Sequence, residues 1–402
     1  MTTNDIRDVG HLCSGCRACV ALCPVSAIRM EPDGEGFLRP VIEEKMCLEC
    51  GLCKRNCPML TTDQRTAPRA GYAATAKDRA ALTRSASGGF FSSVAKRFLE
   101  TYPNARVFGC AYDEAHMPRH IAISRVEDIP LLCGSKYVQS NMEGVYREVS
   151  NCLLGGEKVL FSGTPCQVAG LYAALGGKQD GLLCLDLICH GVPSRRLFGE
   201  YLAYLEKNHK GSLTSYSFRS KRRHGWSLTL RAEFKGKRHA VEKIASLDPY
   251  YYSYLQGDTY RESCYDCPFA CLERVGDITM GDFWGVEHVL PAAYRAEGVS
   301  AILVNTEKGE ELFDLCKQDF TVHEVSPLLI QSQNGNLAAP TKRRPLRDSI
   351  YRELDAYGFA FVARTYMRHP RHRTEAVRNL IPNAGRQRVK RLLKRAKRIL
   401  RR

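Results

Sequence analysis

Eight cysteines crowd the first sixty residues in two copies of one spacing, Cys13-x2-Cys16-x2-Cys19-x3-Cys23-Pro24 and Cys47-x2-Cys50-x2-Cys53-x3-Cys57-Pro58. Three thiolates at i, i+3 and i+6 can wrap three corners of a 4Fe-4S cubane, while the fourth, set before a chain-turning proline, reaches the neighbouring cubane. The spacing therefore assigns Cys13, Cys16, Cys19 and Cys57 to one cluster and Cys47, Cys50, Cys53 and Cys23 to another. Zinc usually takes separated CxxC pairs or mixed Cys/His sets, and disulfides need an oxidising compartment. Clusters of this kind move electrons one at a time.

A third group, Cys264-x2-Cys267-Pro268-x2-Cys271, repeats the crowding with three ligands and no fourth nearby. A 4Fe-4S cluster there would recruit a distant cysteine, and a short zinc site is the alternative. Two strand-turn-helix elbows offer candidates. The first runs through Gly163-Thr164-Pro165-Cys166-Gln167, with Pro165 where a first-turn proline is tolerated. Cys166 is read as a cluster ligand, a reactive thiol near a helix start, or packed filler. The second ends a strongly apolar run at Cys189-His190-Gly191; packed filler beside a hydrogen-bonded histidine is equally open there. Cys110, Cys133, Cys152, Cys184 and Cys316 lack partners in the sequence and read as structural. Ser87-Gly88-Gly89 opens a helical stretch whose N-terminal N–H groups could attract phosphate or an electron-rich ring edge, although a plain serine cap would look the same.

These residues need elements to hold them. Apolar runs at 106–112, 158–162, 182–188 and 301–304 suit buried strands, and amphipathic stretches at 90–99, 197–205 and 309–316 suit helices. Residues 215–219 and 227–234 alternate like an antiparallel pair, so the sheet should not be purely parallel. The expected fold is mixed α/β or α+β: a two-cluster 4Fe-4S domain at 1–60, a polar linker at 61–70, a larger mixed-sheet domain at 71–325, and a basic helical tail at 326–402. Residues 1–10 lack the apolar core of an export signal, and no stretch matches a membrane span of about 18 residues. Eighteen cysteines in such a chain point to a reducing cytoplasm.

The order Ser87-Gly-Gly89, Gly134-Ser135-Lys136-Tyr137, Gly163-Thr-Pro-Cys-Gln167, Cys189-His-Gly191 and Cys264-Tyr-Asp-Cys267, followed by GDITMGDFWG at 276–285, resembles the coenzyme F420 hydrogenase/dehydrogenase beta-subunit family over about residues 70–325. The first eight cysteines resemble a bacterial two-cluster ferredoxin, and the fusion resembles bacterial members found with polysaccharide genes. The resemblance implies FAD and at least one further 4Fe-4S cluster. It implies that Ser87, Gly88, Gly89, Gly134, Ser135, Lys136, Tyr137 and Thr164 line the flavin, with Lys136 offering a cation. Flavin would join one-electron clusters to a two-electron substrate, and His190 is a candidate proton donor. The expected activity is reduction or oxidation of a small molecule or glycan precursor; the rival is an electron-transfer subunit serving a separate catalytic protein. A redox protein or deazaflavin coenzyme is the expected partner. No G-x-G-x-x-G supports direct use of nicotinamide.

The net charge of +16 sits entirely in residues 341–402, which hold 20 Lys and Arg against 4 Asp and Glu. Residues 387–402 place apolar side chains on one narrow stripe flanked by Arg and Lys, the pattern of a helix lying on an anionic membrane face, with docking on this chain's own body or on another protein as the rival reading. No base-reading motif accompanies it, so nucleic acid is not expected.

Overall fold

The computed structural model describes residues 4–61 and 65–380. The helix expected over 387–402 and its membrane role lie outside the described residues.

The N-terminal module is built around short helices and one hairpin. Strands β1 (Ile28–Pro32) and β2 (Leu38–Ile42) pair antiparallel. Cys19 and Cys53 sit in the matching helices Ala18–Leu22 and Leu52–Arg55. Each helix is entered through a left-handed residue, Arg17 at φ 70° and Gly51 at φ 71°. These are equivalent positions of the cysteine repeat, so the turn that aims the third cysteine is kept even where a non-glycine must accept its strain.

The larger domain holds an eight-stranded mixed sheet formed by β3 (Ala70–Ala76), β4 (Ala105–Tyr112), β5 (Pro118–Ile123), β6 (Lys158–Gly163), β7 (Leu182–Leu187), β11 (Ile278–Asp282), β12 (Ser300–Val304) and β13 (Phe320–Val325). The spatial order is β13-β3-β12-β11-β7-β6-β4-β5. β4, β6, β7 and β11 run parallel at its centre, and the remaining pairs are antiparallel. Both faces are covered. Val159, Phe161, Leu182 and Cys184 pack with Val168, Leu171 and the cysteine module on one side, whereas Leu160, Leu185 and Ile278 pack with Val94, Phe98 and Phe313 on the other. Burial on both faces is why these strands read as unbroken apolar runs.

The pair expected at 215–219 and 227–234 is antiparallel but belongs to a separate three-stranded sheet, β8 (Leu213–Ser217), β9 (Thr229–Phe234) and β10 (Val241–Ile244). The mixed character of the main sheet comes from its edges instead. The described residues of 61–70 are tied to the larger domain. Thr66 exchanges backbone hydrogen bonds with Arg274, Arg65 donates to Pro268 O, and β3 already begins at Ala70. From the segment expected as a basic helical tail, Ile350, Tyr351, Leu354, Phe359, Val362 and Met367 are buried in the core around the small sheet.

Two fully buried arginines fasten the module to the body. Arg261 donates to Cys13 O and Leu38 O, and Arg347 bonds Glu35 in the β1–β2 hairpin together with Glu262 and Tyr260 O. A buried guanidinium is stable only when its donors are satisfied, so each contact fixes module and body in register.

Candidate functional site

The parallel strands end in turns that open on one cavity of about 370 Å³. After β6 the chain turns at Gly163 into the helix Pro165–Ala174, and Gln167 Oε1 accepts from the Thr164 N–H at 2.9 Å. That closure sets Cys166, whose sulfur lies 3.2 Å from Thr164 Oγ1. After β7 the chain presents Cys189 and His190. The segment after the short helix Pro249–Leu255 brings Cys264 and Cys267 to the same wall.

These four thiols border one cavity and influence one another electrostatically. Burial, then Cys264, Cys166 and Cys267, push the Cys189 thiol well above its usual range. Burial pushes Cys264 up to about 11 and Cys267 up to about 12, and the Cys166 charge adds to both. Backbone N–H groups of Gly191, Val192 and Phe269 point at the sulfurs of Cys189, Cys264 and Cys267. Buried thiols that resist ionisation while facing N–H donors are the donor set that a metal cluster satisfies by replacing their protons.

Cys271 does not join them. Its sulfur bonds Pro268 O and Glu273 O and accepts from Arg65 at 3.3 Å. Of the cysteines expected to serve a third cluster, Cys166, Cys189, Cys264 and Cys267 therefore share the cavity wall, and Cys271 stands apart from it. The turn at Pro268 aims the third cysteine of the motif away from the cavity.

In the N-terminal module, Cys23, Cys47, Cys50 and Cys53 line one small cavity. Cys13, Cys16, Cys19 and Cys57 form the second group: burial raises Cys16 to about 12, and Cys57, Cys166 and Cys13 add their charge. Cys16 thus faces Cys166 across the module boundary. Among the described residues no three His, Cys, Asp or Glu side chains converge closely enough to hold a single ion, whereas a cubane spreads its ligands over four irons.

Ser87, Gly89, Gly134, Ser135, Lys136 and Tyr137 also line this cavity, as does Thr164 beside Cys166. The helix Phe90–Thr101 begins here without a side-chain cap, leaving a positive dipole end on the wall. Gly88 is not on that wall. A Cβ at this position would collide with Ala74 O and the Ser300 N–H, so its bareness serves packing of the turn onto β3 and β12. Ser87 Oγ is spent on Val299 O at 2.9 Å. Lys136 Nζ donates to Cys133 O, Gly134 O and Leu132 O at 2.9, 3.3 and 3.4 Å, so its ammonium closes its own loop instead of projecting at a ligand. Cys110 and Cys133, read as structural, also border the cavity.

Several residues here were silent in the sequence. Arg219, with its side chain 1% exposed, grips Asp282 through both nitrogens at 2.6 and 3.1 Å and also donates to Ala86 O and Tyr137 Oη. It ties three walls together. Lys221, lowered to about 8 by burial and by Arg219, donates to Leu82 O and Ser87 O beneath the Ser87 turn. Trp226 and Trp284 stack at 4.9 Å and 7°, a flat aromatic surface on Asp282. His120 is buried between Ser162 O and Ser140 Oγ and is lowered to about 4 by burial, which keeps it neutral. His190 opens on the cavity; burial lowers its pKa, and Asp282 opposes that shift.

Arg261 stands between the Cys13 and Cys264 groups and bonds carbonyl and amide oxygens only. Its charge there should favour the more negative, reduced state of any cluster on either side. Arg261→Gln is expected to lower the midpoint potentials of the two flanking clusters by on the order of tens of millivolts, read by anaerobic EPR titration, with Arg261→Lys closer to wild type. Unchanged potentials in a folded Arg261→Gln protein would remove this role.

Fold and site together define an iron–sulfur oxidoreductase of the electron-transfer type, with a ferredoxin-like domain joined to a mixed α/β domain. Residues 12–60 match the 4Fe-4S dicluster domain and residues 156–327 match the C terminus of the coenzyme F420 hydrogenase/dehydrogenase beta subunit; the chain carries both. It is 21% identical over 352 residues to the F subunit of the F(420)H(2) dehydrogenase of Methanosarcina mazei, covering 81% of this chain and 90% of that protein. It is 24% identical over 351 residues to the coenzyme F420-dependent sulfite reductase of Methanocaldococcus jannaschii, covering 81% of this chain and 49% of that protein, about half its length. A chain in the xenon-derivatised F420-reducing [NiFe] hydrogenase complex from Methanosarcina barkeri aligns with a TM-score of 0.44 and 16% identity, over 74% of this chain and 96% of that one. Among the described residues no helix is long and apolar enough to cross a membrane.

Proposed function

We propose that this chain is a flavin-dependent reductase or dehydrogenase in which two N-terminal 4Fe-4S clusters connect, through a third held by Cys166, Cys189, Cys264 and Cys267, to FAD in the central cavity. The observation that carries this reading is that one cavity is bordered by those four cysteines and by the open N-terminus of the helix Phe90–Thr101. Cys16, close enough to Cys166 to feel its charge, supplies a link from the module. FAD, when bound, supplies the exchange between single electrons and a hydride. The helix start and the Gly134–Tyr137 loop would hold its phosphates and ring edge, Arg219 would keep the walls in register, and the Trp226–Trp284 pair offers a stacking surface. His190 would hold the proton that accompanies reduction of the substrate.

The relatives' names favour a deazaflavin coenzyme such as F420 as one partner. One of them is named as a subunit, which favours a second reading in which this chain passes electrons to a separate catalytic protein. Anaerobic reconstitution should give about four iron atoms for each of three cubanes and acid-released FAD identified by mass. Reduction of F420 by the isolated chain would select the first reading, and a requirement for a second protein the other. A fully reconstituted protein with no flavin would end both. Membrane association through the basic segment is tested by removing residues 381–402 alone, because residues up to Asn379 bond the body through Ile244.

A further inference from the structure

A second cavity, of about 300 Å³, shares no lining residue with the first. It lies between the helix Arg195–His209, the end of β10 with the turn after it, and the C-terminal helices. Lys243, Arg364, Arg368, His209 and His372 border it. None of Lys243, Arg364 or Arg368 has an ion-pair partner among the described residues, unlike most arginines of this fold. The one carboxylate on the wall, Asp248, is buried and already taken: its oxygens accept from Tyr251 N–H at 2.9 Å and Tyr201 Oη at 2.8 Å. Behind the wall, Glu375 accepts from Ser246 Oγ.

The groups repel one another. Burial, then Lys243 and Lys237, lower the pKa of His209; burial, then Arg368 and Lys243, lower that of His372. A concave site that gathers cations from three elements against a single buried carboxylate, Asp248, which Lys243 helps to hold ionised, carries an excess of positive charge that an entering anion relieves. Arg and Lys donors converging from several sides suit the oxygens of a phosphate. Leu205, Ala363 and Met367 form an apolar flank beside them, room for the organic part of a ligand at the lower end of small-molecule cavity sizes.

We propose that this cavity is an anion site that takes a phosphate or diphosphate group carried on an organic ligand, separate from the redox cavity. The phosphate belongs either to a soluble ester or to a lipid headgroup, and both present the same oxygens to Lys243 and Arg368.

Two arms distinguish the sources, using the reconstituted full-length protein. Calorimetry with inorganic pyrophosphate reads the soluble arm, and sedimentation with phosphatidic acid vesicles against phosphatidylcholine vesicles reads the lipid arm. Lys243→Gln with Arg368→Gln should weaken binding by at least about tenfold in one arm, while Lys243→Arg retains it. Cluster absorbance and melting temperature should not change; if the double variant folds poorly, the exposed single change Arg368→Gln serves. Weakened pyrophosphate binding supports the site with a soluble ester. Weakened retention on phosphatidic acid alone supports it with a lipid headgroup. No binding in either arm, or binding that the variants leave unchanged, overturns it; in the vesicle arm the latter would assign attraction to residues outside the cavity.

Discussion

Cys189→Ser is expected to remove about four iron atoms per chain and leave the N-terminal clusters in place, whereas Cys271→Ser should remove none. The two cysteines differ in what surrounds them. Cys189 faces Cys166, Cys264 and Cys267 and receives the Gly191 N–H, while the Cys271 sulfur is turned onto Pro268 O, Glu273 O and Arg65. Cys166→Ser should match Cys189→Ser in iron content. Iron and acid-labile sulfide analysis after anaerobic reconstitution checks all three variants. Loss of four iron atoms from Cys271→Ser, with none lost from Cys189→Ser, would restore the contiguous motif as the ligand set.

The largest stability effect is expected at Arg274. Its guanidinium is buried, pairs with Asp186 at 3.2 Å, and donates to Phe269 O, Cys271 O, Leu187 O and Thr279 Oγ1. It thereby pins the loop after Cys267 to the carboxyl end of β7 and the amino end of β11. Asp186, fully buried, also accepts from the Val275 and Gly276 N–H groups. Arg274→Met leaves that carboxylate buried without its cation and should cost about 3–5 kcal/mol. Displacement of the loop should also lower occupancy of the central cysteine set. Arg343→Ala, which breaks more exposed pairs with Glu262 and Asp348, should cost about 1 kcal/mol or less. Anaerobic urea denaturation measures both, and equal effects would deny Arg274 its role as the latch.

What could be read beforehand follows from how local each feature is. β6 and β7 were visible because both faces are buried, and the elbows after them because glycine and proline punctuate the strand ends. β3, AGYAATA, was not: its small residues fit tightly between β12 and β13, and no apolar run marks it. Cysteine spacing recorded the N-terminal groups because their ligands are near neighbours in sequence. At Cys271 the spacing continues, but the turn sets its sulfur against Pro268 O, Glu273 O and Arg65, off the cavity wall. Arg219 acts on Asp282 and Ala86, 63 and 133 residues away, and Arg261 acts on Cys13 across 248 residues. Neither sits in a motif. A lone arginine in a sequence reads as surface, and only the fold shows it as the tie between walls.

On the proposed reading, the four cysteines at the cavity are the route between the N-terminal clusters and the flavin. Rapid mixing of the reconstituted protein with a reduced low-potential donor, followed at flavin and cluster wavelengths, tests it in wild type and in Cys189→Ser. Both proteins should reduce their N-terminal clusters at similar rates, while flavin bleaching falls to background in Cys189→Ser although FAD is still bound. Flavin bleaching at the wild-type rate in a variant lacking the central iron would contradict it.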